Sequence, residues 1–77
     1  MQTIEFQLDG QHPHIELCNL LKLTGIASSG GQGKLMVANG DVTVDDRPES
    51  RKTAKILAGQ VVECLGTRIT VTAASVT

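Results

Sequence analysis

Residues 3–8 alternate between apolar and polar positions, with Ile4, Phe6 and Leu8 set against Glu5, Gln7 and Asp9. That period of two predicts a strand with one buried face, closed by an Asp9-Gly10 turn. The period then changes. Ile15, Leu17, Cys18, Leu20 and Leu21 recur at helical spacing. Pro13 suits a first helical position, whose N–H has no partner in any helix. Lys22 falls in the last turn, where a cation complements the helix dipole. Gly25 is placed to stop the helix in a left-handed conformation. A second helix is expected from Ser29 to Ala38 or Asn39, ended by Gly40. Ser29 and Gln32 have the spacing of a capping box, in which the serine serves the third helical N–H and the glutamine reaches back to the cap.

From Asp41 the period returns to two, and Val42 and Val44 around Thr43 predict a strand. Asp45-Asp46-Arg47-Pro48 is turn chemistry. Residues 49–60 are mixed and polar, ending in an Ala58-Gly59-Gln60 turn. Val61–Leu65 reads as a strand, Gly66-Thr67 as a hairpin turn and Arg68–Thr72 as the returning strand. Residues 73–77 are small and expected to fray. The chain thus reads as one α+β domain over residues 1–77, with an N-terminal strand, two short packed helices and a small, mainly antiparallel sheet.

Composition narrows the function classes. A domain of 77 residues buries only about 60% of its unfolded surface, so it supports one small core. Cys18 and Cys64 are too few for a disulfide scaffold or a zinc knuckle. No basic leader with an apolar run and no membrane-length segment is visible, so the expectation is a cytoplasmic protein with no membrane partner. The net charge is −1, but its distribution is uneven. Residues 1–21 hold Glu5, Asp9 and Glu16 and no base, while all seven Lys and Arg residues lie in 22–77. Four of them, Arg47, Arg51, Lys52 and Lys55, crowd around the single acid Glu49.

The glycine-rich turn Ser29-Gly-Gly-Gln-Gly-Lys34 stands out. Gly30, Gly31 and Gly33 each cost roughly 1 kcal/mol in a helix relative to alanine, which calls for a compensating reason. One reason is phosphate approach: the capping box leaves the Gly30 and Gly31 N–H groups free at the positive helix end, with no side chain to shield them. Lys34 lies one turn on. The other reason is close helix–helix contact that excludes a Cβ. Both stay open on the sequence. A Walker loop is excluded, because Leu35 follows Lys34 where Ser or Thr is needed, and Ser28 replaces the upstream glycine. Taken alone, the basic cluster would be a solvated loop with weak surface ion pairs. Joined to the glycine turn, it reads as a phosphate-facing surface formed by Gly30, Gly31, Lys34, Arg47, Arg51, Lys52 and Lys55.

Other chemistry is less well supported. His12, His14 and Cys18 are candidate metal ligands by type, but Cys18 falls on the apolar helix face, and no metal or other cofactor is expected. Ser28 and Ser29 lack a positioned base, and no carboxylate pair stands out, so no enzyme and no small-molecule substrate are expected. Phe6 is the single aromatic residue and points inward by its alternation. Single-stranded RNA readers need exposed aromatic platforms. An RNA partner would therefore be folded or double-stranded and read through shape and phosphates.

The order Leu17-x-x-Leu20-Leu21-Lys22-x-x-Gly25, Ser29-Gly-Gly-x-x-Lys34, Gly40-x-Val42-x-Val44-Asp45 and Glu49-x-Arg51-Lys52-x-x-Lys55-x-x-x-Gly59 resembles the S-four RNA-binding domain. This module is named for a small-subunit ribosomal protein. The resemblance covers about residues 13–65 and is nearest to the small stand-alone bacterial branch, the YbcJ-like group. It implies two packed helices followed by a strand, the αL motif, completed by a small sheet. It also implies binding of structured RNA such as rRNA, tRNA or RNA junctions through the start of the second helix and the loop after the next strand; a monomer is expected. Lys34, Arg51, Lys52 and Lys55 match basic positions of the family. Gly30 departs from the arginine that the wider family carries after the second cap, which favours backbone N–H contact there. The alternative is an adaptor that docks on a ribosomal or RNA-processing assembly through protein contacts.

Overall fold

The computed structural model describes residues 2–10 and 13–73. His12, a candidate metal ligand, and residues 74–77 of the tail expected to fray over 73–77 lie outside the described residues. The elements in chain order are β1 (Gln2–Gln7), β2 (His14–Glu16), α1 (Leu17–Leu23), α2 (Gly30–Ala38), β3 (Val42–Val44), β4 (Arg47–Pro48), β5 (Lys55–Leu57), β6 (Val61–Cys64) and β7 (Thr67–Thr72). Five strands form one sheet in the order β1-β7-β6-β3-β4, and β2 and β5 form a second, two-stranded sheet. Every pairing is antiparallel except that of β1 with β7. The α+β architecture matches the sequence reading. No helix among the described residues is long and apolar enough to cross a membrane.

The core follows from the periodicities. Along β1 the apolar positions are half-buried and their neighbours exposed, and Leu8 just beyond is fully inside. One apolar cluster joins Leu17, Leu20 and Leu21 of α1 and Val37 of α2 to Val42, Val62, Ile69 and Val71 of the sheet. Both helices stop as expected, with Gly25 at φ +82° and Gly40 at φ +81° following their C-caps.

Four local expectations need correction. The first helix does not open at Pro13. His14–Glu16 is a strand, with Ile15 opposite Ile56, and the helix begins at Leu17. Long-range pairing overrides the helical spacing of residues 15–18. The polar stretch 49–60 contains β5, whose central Ile56 is 1% exposed. Arg47-Pro48 is strand rather than turn. The turn is Asp45-Asp46, both at positive φ, with Val44 opposite Arg47, the geometry of a two-residue hairpin loop. The last hairpin turns at Leu65-Gly66, one residue earlier than expected, because Cys64 pairs with Thr67.

Candidate nucleic-acid interface

The site is built on the α1–α2 corner. Ser29 is extended at φ −156°, ψ 166°, and its Oγ accepts the Gln32 N–H at 3.1 Å. This is the expected serine half of the capping box. The glutamine half differs. Gln32 Oε1 accepts from the Ser28 N–H and, at 2.6 Å, from the Ser28 hydroxyl. It reaches one residue further back than the cap and fastens the corner leading into α2. Helical bonding begins with the Gly33 N–H donating to the Ser29 carbonyl at 3.0 Å. The Gly30 and Gly31 N–H groups precede that bond, where a helix supplies no internal acceptor.

The three glycines divide into two kinds. A Cβ on Gly30 would meet nothing within 4 Å, and one on Gly31 only the Ser29 Oγ at 3.8 Å. A Cβ on Gly33 would lie 2.8 Å from the Cys18 carbonyl oxygen and 3.4 Å from its Cα. Gly33 is therefore a packing glycine that lets α2 close on α1. Gly30 and Gly31 are not required by packing, and they leave bare backbone at the positive end of α2.

The basic loop reaches the same corner through α1. Leu17 and Cys18 carry first-turn N–H groups, and α1 has no side-chain cap. The Leu17 N–H donates to the Ala54 carbonyl at 2.9 Å and the Cys18 N–H to the Lys52 carbonyl at 3.1 Å. The loop's backbone thus caps α1. Cys18 touches Gly33 through its carbonyl and Lys52 through its N–H, so one buried residue ties the glycine turn to the cation loop. Lys55 follows on β5, in register with Glu16.

Lys34, Arg47, Arg51, Lys52 and Lys55 are all exposed. The Cys18 contacts join the backbone of the glycine turn, which carries Lys34, to the backbone of the loop that carries Arg51 and Lys52. Arg47 is positioned differently, by the β3–β4 hairpin opposite Val44. Arg51 is also held in a way the residue pattern did not reveal. Glu49 Oε1 accepts from the Arg51 backbone N–H at 2.9 Å and from Nε at 3.1 Å, and Oε2 accepts from Nη2 at 3.2 Å. These bonds, the side-chain one foremost, hold the Glu49 carboxyl below the usual carboxylate range. A carboxylate two residues before an arginine on a loop was the available signal.

The two cysteines belong to the interior. Cys18 and Cys64 are free and buried, and burial, with Asp41 nearby, pushes the Cys64 thiol up. His14 lies on β2 along a groove with Phe6, Ile15 and Leu23, away from the Cys18–Gly33 contact.

The S4 domain matches residues 6–72. YbcJ of Escherichia coli (strain K12) is 52% identical over 64 residues, 83% of this chain and 91% of that protein. The probable ribosome maturation protein RlbA of Bacillus subtilis (strain 168) is 38% identical over 52 residues, 68% of this chain and 73% of its own. The solution structure of Escherichia coli YbcJ, which reveals an αL motif involved in RNA binding, superposes with a TM-score of 0.71 at 47% identity. That superposition covers 94% of this chain and 90% of the other. With the helix pair, the following strand and the sheet in the same arrangement, the chain belongs to the S4 domain family.

Proposed function

We propose that this protein is a monomeric, cytoplasmic RNA-binding domain that recognises structured RNA through phosphate. The Gly30 and Gly31 N–H groups face one phosphate at the α2 N-terminus. Lys34, Arg51, Lys52 and Lys55 neutralise its neighbours, and Arg47 extends the cationic rim along β4. The observation that carries this reading is the split among the glycines: Gly33 is needed for packing, whereas a Cβ would fit at Gly30 in open space and at Gly31 in ordinary contact with the Ser29 Oγ. Phosphate rather than base readout follows from the lack of exposed stacking platforms, since Phe6 is the sole aromatic residue and is half-buried against the core. The name of the RlbA relative makes ribosomal RNA the first RNA to try.

Neutralising four phosphates predicts a slope of log K against log salt of about −3 to −4. The test titrates wild type and a K34E/R51E/K52E/K55E variant with fluorescent ribosomal RNA fragments and with unfractionated tRNA over a salt series. Wild type binds with that slope and the variant does not. Equal binding at every salt concentration rejects the reading. The net charge of −1 favours a second reading, an adaptor that docks through protein contacts. A partner retained from lysate after nuclease treatment selects that one.

A further inference from the structure

Glu49 is the only acid among residues 47–55, and phosphate binding by itself gives it no role. Its side chain is 18% exposed, whereas that of Arg51 is 77% exposed. The acid is the fixed member of the pair. Its own N–H donates to the Val42 carbonyl at 3.2 Å, and its carboxylate takes the Arg51 backbone N–H as well as the guanidinium. Nε and one Nη2 hydrogen are used. The opposite edge of the fork, formed by Nη1 and the second Nη2 hydrogen, is left with the pair of parallel donors that suits a phosphate.

We propose that Glu49 is a positioning residue for RNA binding, a built-in carboxylate splint that fixes Arg51 and turns its outer edge to a phosphate. The proposal rests on the RNA-binding reading. Glu49 does not have to leave when RNA arrives, because the two acceptors use different edges of one guanidinium. The arginine loses its rotamer freedom during folding and so gives up less on binding. Simple charge counting has the opposite sign: deleting an acid beside a phosphate site should strengthen binding. The two accounts therefore separate on the direction of one measurement.

The experiment compares wild type, E49A, E49Q, R51A, E49A/R51A, K34A and E49A/K34A, using the fluorescent ribosomal RNA fragment that wild type binds best. E49A should weaken binding about 3- to 10-fold, the range for immobilising one flexible side chain, and E49Q less, since it keeps one acceptor. The E49A loss should disappear in the R51A background and persist in the K34A background. E49A binding as tightly as wild type or more tightly overturns the proposal, as does an undiminished loss without Arg51. An RNA-free measurement separates this from failure of the functional reading. The Arg51 Nε–H should give a resolved, slowly exchanging nitrogen–proton NMR signal in wild type that is lost in E49A. A wild-type signal that exchanges as fast as in E49A overturns the splint whatever the RNA result.

Discussion

Gly33 faces the Cys18 carbonyl so closely that a Cβ at position 33 would sit 2.8 Å from the oxygen. The same Cys18 donates its N–H to Lys52. Helix α2 and the cation loop are thus registered against the two ends of one residue in the first turn of α1. A shift at Gly33 would move the glycine turn relative to the basic loop, and the proposed phosphate-facing surface depends on that relation.

The first prediction is that the glycines respond with opposite signs. Gly33→Ala drives a methyl into backbone that has no rotamer to yield, and should cost about 1–3 kcal/mol. Gly30→Ala meets open space in a helical residue and should add about 0.4–1 kcal/mol by restricting the unfolded chain. Urea denaturation of the two variants checks this. Similar shifts would mean that packing does not distinguish them. Gly30→Ala should also weaken RNA binding, because the methyl covers the helix end, so stability and affinity move in opposite directions at one residue.

This division marks where sequence reading stops. Three glycines in the first turns of a helix signalled a special site, and Ser29 with Gln32 signalled its start. Which glycine packs depends on where α1 lies, and residues 29–34 do not contain that information. The start of α1 was misplaced for a related reason. Its first N–H groups are capped by the Lys52 and Ala54 carbonyls, which are far away in sequence, while Pro13 offered a plausible local signal. Strand β5 is three residues long, too short for alternation to register, and exists because β2 pairs with it. Strand β1 is legible because its own alternation selects a buried face, and α2 because Ser29 with Gln32 and Gly40 mark its two ends.

The second prediction concerns Leu65, a non-glycine residue at φ +50° that is 69% exposed. Left-handed backbone costs a side chain with a Cβ about 1–2 kcal/mol, and here no burial offsets it. Leu65→Asn would place Asn-Gly in the two-residue turn, the favoured pair for positive φ at both positions. The variant should be more stable by about 1 kcal/mol, seen as a higher urea midpoint with an unchanged slope. A lower midpoint would mean that Leu65 makes a compensating contact.

Third, the adjacent aspartates of the β3–β4 turn should separate. Asp45 Oδ1 accepts the Val61 N–H at 2.9 Å and Oδ2 accepts from Gln60 Nε2 at 3.2 Å, so its side chain fastens the turn to β6. Asp45→Ala should cost about 0.5–1.5 kcal/mol, the net worth of a hydrogen bond whose donor water can reach. Asp46, exposed and at φ +66°, holds the second turn position, where glycine is preferred. Asp46→Gly should be neutral or stabilising by a few tenths of a kcal/mol, about the relief of one left-handed residue less the entropy of glycine. Thermal unfolding of both variants decides it, and losses of equal size would refute the assignment.

The last prediction uses the titration of Glu49. The Arg51 side chain, followed by its backbone N–H, lowers the Glu49 carboxyl below its ordinary value. A group whose folded pKa is depressed adds stability above its unfolded pKa and loses it as the pH falls through the folded value. Wild type should therefore exceed Glu49→Gln in stability at neutral pH. The two should converge once the solution is acidic enough to protonate the folded carboxyl, below the usual carboxylate range. The gap at neutral pH should be small, because Arg51 is exposed and surface pairs are screened, and it should shrink further in high salt. Urea midpoints of both proteins, followed from neutral to acid pH at low and high salt, test each part. A gap that stays constant with pH would show that the substitution acts through packing, and that the carboxylate charge does not hold Arg51.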